Sequence, residues 1–162
     1  MPGSGKSTFG RELAAKMNRE FVDLDKLIEK KHNMSIQEIF EKHGEVGFRK
    51  SETEILKETN HQNNLVVSCG GGTASFNNNL NWINENAVSI FLDTNISVIK
   101  QRISRNKNSR PMYNGLNEQQ IDEKVDELWE QRKNNFKNAH ISIKPERINT
   151  LFYLFVNQLV KL

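Results

Sequence analysis

The chain opens Met1-Pro2-Gly3-Ser4-Gly5-Lys6-Ser7-Thr8, and this stretch decides how the rest is read. Gly5-Lys6-Ser7 closes the pattern G-x-x-x-x-G-K-[ST] of a phosphate-binding loop. The leading glycine of that pattern would stand one position ahead of Met1. Glycines in such a loop let backbone N–H groups turn inward on a polyphosphate, and the following helix adds its N-terminal dipole. Gly3, Ser4, Gly5, Lys6, Ser7 and Thr8 are therefore the candidates for holding ATP. Lys6 would reach the β- and γ-phosphates, and the Ser7 hydroxyl would ligate Mg²⁺. Phe9, Leu13 and Met17 recur at i, i+4 and i+8, so a helix is expected from Thr8 to about Asn18. A chance Gly/Ser-rich tail is the alternative, and a helix starting at the right place argues against it.

A loop of this kind is fed by a strand in the middle of a sheet, and no apolar run stands ahead of Met1. The expectation is a start placed inside the loop of a longer coding sequence. A cloned fragment or a genuinely shortened protein are the other readings.

Composition narrows the class. A length of 162 residues fits one domain, since domains commonly run about 100–200 residues. The net charge of +3 is mild and scattered; it gives no sign of a nucleic-acid surface and suits small anionic substrates. Cys69 is alone, so no internal disulfide can form, which fits a reducing cytoplasm. His32, His43, His61 and His140 are dispersed without metal-ligand spacing. No run of about 18 apolar residues exists and no signal-peptide pattern opens the chain, so membrane insertion and secretion are not expected. Asn77-Asn78-Asn79 reads as compositional bias plus a turn.

Strand and helix signals alternate. Helices are expected over Asp25 to Lys31, from the capping box at Ser35 to His43, and over Glu45 to Thr59. Others are expected over Asn79 to Asn84, Ile96 to Arg105, Glu118 to Asn138 and Glu146 to Leu162. Strands are expected over Glu20 to Leu24, Leu65 to Cys69, Ala87 to Leu92 and His140 to Ile143. The polar stretch Asn106 to Asn117 reads as a mobile loop. Alternation of this kind gives an α/β fold with a parallel sheet and helices on both faces. Four strands are counted, and the one missing ahead of the loop would make five.

Several constellations carry chemistry. Asp23-Leu24-Asp25 ends a strand, where doubly wound sheets gather ligands. One carboxylate could organise Mg²⁺ and the other accept from a substrate hydroxyl; alternatively Asp25 is only a helix cap. In Gly44-Glu45-Val46-Gly47-Phe48-Arg49 two glycines frame a turn, and Arg49 offers a fork for a substrate carboxylate. Gly70-Gly71-Gly72 directly follows a buried strand, as expected where a ligand touches the main chain. Arg105 and Arg110 bracket the polar loop, and Arg132 lies in a long helix. Each of these arginines is a candidate anion ligand, with a solvated surface residue as the alternative.

Taken in order, G-S-G-K-S-T, F-V-D-L-D, G-E-x-G-F-R, C-G-G-G, the R-P at Arg110-Pro111 and R-x-x-x-F before A-H-I resemble the shikimate kinase family over nearly the whole chain. The resemblance implies a single domain over 1–162, with a substrate-binding segment about 25–60 and a lid about 106–117. It implies a three-layer fold with a five-stranded parallel sheet. The implied activity is ATP-dependent phosphorylation of the 3-hydroxyl of shikimate in aromatic amino-acid biosynthesis, by a cytoplasmic monomer. Carried over by position, Lys6, Asp25 and Arg110 are the catalytic residues. Ser7 and Asp23 serve Mg²⁺; Asp25, Arg49, Gly71, Gly72 and Arg132 bind shikimate. Arg110 also contacts the phosphates and Arg105 stacks near adenine. Phe40 and Phe48 wall the pocket, with Glu52 supporting Arg49. Phe136 stands where the family more often has tyrosine. The rivals are another small-metabolite kinase, such as a gluconate kinase, and a non-catalytic nucleotide-binding homologue.

Overall fold

The structure, a computed structural model, describes residues 1–107 and 110–160. Asn108 and Ser109 of the expected lid, and Lys161 and Leu162 of the expected closing helix, lie outside the described residues. The chain runs α1 (Lys6–Met17), β1 (Glu20–Asp23), α2 (Leu24–His32), α3 (Ile36–Glu58), β2 (Leu65–Ser68) and α4 (Asn79–Asn86). It continues through β3 (Ile90–Leu92), α5 (Ile96–Arg105), α6 (Glu118–Lys137), β4 (Ile141–Ile143) and α7 (Thr150–Leu159).

Alternate residues of the strands face opposite helical layers, as a period of two requires. Val66, Ile90, Ile141 and Ile143 pack with Leu13 of α1 and Phe152 and Val156 of α7. Val67 packs on the other side, with Leu24, Ile28, Ile39, Phe48, Ile55 and Leu56 of α2 and α3. Phe91 does the same toward α5 and α6, where Ile99, Ile103, Ile121, Val125 and Phe136 are buried. The layers expected from the sequence are therefore present. Gly10 sets how closely α1 lies on β1: a Cβ there would come within 2.8 Å of the Phe21 ring.

The strands do not form one sheet. β1 pairs with β2 in parallel, Phe21 opposite Val66 and Val22 opposite Val67. β3 pairs with β4 in parallel, Phe91 opposite Ser142. The two pairs are not hydrogen-bonded to each other. Between them lies a cavity of about 550 Å³ lined by both facing strands, by Phe9, Leu13 and Met17, and by Phe136 and Val156, with Met1 among the lining residues.

Element boundaries shifted in identifiable ways. The two helices expected on either side of Gly44 run on as one, broken only at Gly44, whose φ of 65° and ψ of −179° are non-helical. The capping box holds as expected, with Ser35 Oγ accepting from the Glu38 N–H. Gly47 is inside the helix, so only one of the two glycines makes a turn. Leu24 opens α2 instead of ending β1, and α7 starts late because Pro145–Arg147 forms a 3-10 turn and Asn149 caps the Phe152 N–H. The turn expected at Asn77-Asn78 is present, and other asparagines also take left-handed positions. Asn18 and Asn33 take left-handed conformations at helix ends, and Asn77 and Asn78 do so ahead of α4.

Candidate active site

Gly3 and Gly5 have φ of 73° and 96°, the left-handed turns that curl the loop before α1. No side chain caps α1, so its first N–H groups stay open to an anion. The loop is held from outside by its carbonyls. Lys6 Nζ and Ser4 Oγ donate to Met1 O at 2.7 and 3.0 Å. Thr94 Oγ1 donates to Ser4 O at 2.8 Å, and Arg102 Nη1 donates to Gly3 O and Ser4 O at 3.2 and 3.3 Å. Ser7 Oγ donates to Asp23 Oδ2 at 3.0 Å, with Ser68 Oγ at 3.4 Å. Burial lowers the Lys6 pKa, opposed most strongly by Asp25.

One cavity of about 760 Å³ brings together Gly3 to Thr8, Asp23, Asp25, Gly71 and Arg110. Arg110 Nε is buried there without a hydrogen-bond partner among the described residues. Arg105 is exposed at the end of α5 and does not line this cavity; Arg102, three residues earlier, does. Sequence reasoning passed over Arg102 and Thr94. Their only signal was position, Thr94 just beyond the C-terminal end of β3, where such folds gather ligands.

Asp25 lies in the first turn of α2, and Asp23 occupies the cap position without a capping bond, so Asp25 is not a cap. Burial raises the Asp25 pKa to about 6, helped by the nearby Asp23 and Glu52 carboxylates and opposed by Lys6. Arg49 is buried on α3. Its Nη1 donates to Glu52 Oε2 at 2.8 Å, and its guanidinium carbon lies 5.0 Å from the Phe48 ring centre and 4.2 Å from that of Phe76. Phe40 and Phe48 stack at 4.5 Å. Glu52 is fully buried and also accepts from Thr73 Oγ1 at 2.6 Å. Arg132 of α6 is 7% exposed and makes no hydrogen bond or ion pair among the described residues. Its pKa is lowered by burial first and then by Arg49. A buried cation without a counter-ion is costly, and it marks a place for an anion.

The glycine run has a close-packing reason that the sequence did not reveal. A Cβ on Gly72 would sit 2.7 Å from Arg49 Nη2. One on Gly70 would sit 3.1 Å from Asp25 Oδ1 and from Glu52 Oε1, and one on Gly71 would reach Pro2 Cδ at 3.0 Å. The following loop is stapled to α3 by Asn77 Nδ2, which donates to Arg49 O and Thr53 Oγ1, both at 3.0 Å. Asn79 Nδ2 donates to Thr73 O at 3.0 Å. Gly72 lies against Arg49, whose charge acts on Arg132, and none of the three lines this cavity. Phe136 is buried and stacks on Phe91 at 5.1 Å, a setting that asks for no hydroxyl.

The chain is similar to known proteins over nearly its whole length. The family model described as shikimate kinase matches residues 2–159. A shikimate kinase of Sulfurihydrogenibium sp. (strain YO3AOP1) is 41% identical over 145 residues, covering 90% of this chain and 84% of the relative. One from Aquifex aeolicus is 35% identical over 89% of this chain and 82% of the relative. The crystal structure of shikimate kinase from Bacteroides thetaiotaomicron superposes with a TM-score of 0.86 at 28% identity, covering 98% of this chain and 91% of the other. The structure of the Acinetobacter baumannii shikimate kinase in complex with shikimate gives 0.79 at 34% identity, over 99% and 87% of the two chains. This chain belongs to the shikimate kinase family.

Proposed function

We propose that this protein transfers the γ-phosphoryl group of ATP to the 3-hydroxyl of shikimate. The observation that carries this is the spacing along Gly70-Gly71-Gly72. Gly70 lies against the Asp25 carboxylate and Gly72 against the Arg49 guanidinium. Two residues of chain span at most about 7 Å, so the proton acceptor and the carboxylate-binding cation border one short run, within reach of a single small acceptor, with the phosphate loop beside Asp25.

Each residue then has a task. Arg49 and Arg132 bind the carboxylate. Asp25 accepts the proton of the attacking hydroxyl, and a pKa near 6 suits a base working near neutrality. Gly71 and Gly72 lie under the ring. Lys6 and Arg110 hold the phosphates, and the unpartnered Arg110 Nε fits that use. No group of three or more His, Cys, Asp or Glu side chains could hold a metal among the described residues. Ser7 and Asp23, already joined by a hydrogen bond, would share Mg²⁺ with phosphate oxygens. Mg²⁺ supplies charge neutralisation on the transferred group. Arg105 near adenine remains the weakest assignment, since Arg102 is nearer the loop.

We further propose that the space between β2 and β3 takes a fifth parallel strand leading into Met1, which would join the two pairs into one sheet. Both facing edges are unpaired and the lining is largely apolar. Action as a monomer in the cytoplasm belongs to the same proposal; among the described residues no helix is long and apolar enough to cross a membrane.

The test is ADP release with shikimate, with gluconate and without an acceptor. Turnover that needs shikimate and ignores gluconate is expected. Turnover with gluconate would hand the site to a different acceptor, and none with any acceptor would favour a nucleotide-binding homologue without catalysis.

A further inference from the structure

Arg49 is held on two sides by carboxylates of different standing. Glu52, fully buried, takes Nη1 and also Thr73 Oγ1. Glu45 Oε1 accepts from both Nε and Nη2 at 3.3 Å, the forked edge by which a guanidinium grips a carboxylate. The Glu45 side chain is 56% exposed, and no other bond holds it among the described residues. It follows Gly44 directly, the one non-helical joint in α3, where a Cβ would meet nothing within 4 Å. A carboxylate at a joint with free space around it can leave at little cost.

We infer that Glu45 is an internal stand-in for the substrate carboxylate and tunes acceptor affinity by competing for Arg49. The inference rests on Arg49 as the carboxylate ligand. Arg49 and Arg132 are buried near one another, and Glu45 and Glu52 are the carboxylates that offset the Arg132 charge. Removing Glu45 without a replacement leaves two cations facing each other with less compensation. An acceptor that brings its own carboxylate replaces Glu45 and keeps the balance. A neutral acceptor of the same shape does not, so it meets an Arg49 that stays closed. Glu45 thereby tunes acceptor affinity without touching the reacting atoms.

The experiment is equilibrium binding of shikimate and of shikimate methyl ester to the full chain and to Glu45→Gln, with Arg49→Lys in parallel. Glu45→Gln is expected to bind shikimate about two- to five-fold more tightly, the scale of one half-exposed ion pair no longer in competition. Shikimate methyl ester, which leaves the Arg49–Glu45 pair in place, should shift less. Equal shifts for both ligands, or no shift, would overturn the competition while Arg49→Lys still weakens shikimate. An Arg49→Lys variant that binds shikimate like the parent, or a parent that binds none, would instead overturn the assignment of Arg49 and the competition with it.

Discussion

Asp25 carries the sharpest residue-level consequences, because its pKa is raised from 3.8 to about 6. As a base it must be ionised, so kcat/KM is expected to rise about tenfold per pH unit up to about pH 6 and level off above it; a profile flat from pH 5 to 8 would remove Asp25 from that role. The same shift affects stability with the opposite preference. The folded pKa lies above the unfolded one, so the folded state favours the protonated form. The cost of ionising Asp25 is absent below pH 3.8, grows through the window to about 6 and is complete above it, at most about 3 kcal/mol. Asp25→Asn should therefore abolish turnover, leave nucleotide affinity near that of the parent, and raise Tm by several degrees at pH 7.5 but hardly at pH 4. A Tm gain independent of pH would contradict this. Arg49 and Glu52 behave as a buried pair, and deleting one partner strands the other. Glu52→Ala is expected to cost about 3–5 kcal/mol in denaturant unfolding. Arg49→Lys is expected to raise the shikimate KM at least tenfold with the ATP KM near the parent value, since a lysine cannot reproduce the fork.

At the scale of elements, α3 and the segment 70–79 explain what the sequence could and could not reveal. The phosphate loop, Asp25, the placement of Arg49 and the capping box at Ser35 were readable, because each depends on neighbours within a few residues. Glu52 under Arg49 was expected from the resemblance and is found there at 2.8 Å. The close-packing need for three glycines was hidden, because the atoms they make room for come from α2, α3 and Pro2. Asn77, Thr94 and Arg102 were missed for the same reason: their partners lie far away in sequence. Gly72→Ala puts this to the test. Its Cβ would press on the Arg49 guanidinium, so shikimate binding should weaken far more than ATP binding; equal effects on both would mean that the crowding at 2.7 Å is relieved elsewhere.

For the whole molecule, the space between β2 and β3 governs stability and activity together. At about 24 cal/mol per Å³, a dry void of about 550 Å³ would cost about 13 kcal/mol, the scale of an entire folding free energy of about 5–15 kcal/mol. The fifth strand proposed above would fill this space and also brace Met1, whose carbonyl anchors Lys6 and Ser4. The measurement that bears most directly on the central claim is ADP release with and without shikimate, for this 162-residue chain and for one led by a short apolar strand ending in glycine. Turnover that requires shikimate and is much greater in the extended chain is the predicted result. ATP consumption indifferent to shikimate in both chains, or none in either, would contradict the assignment of this site as a shikimate-phosphorylating centre.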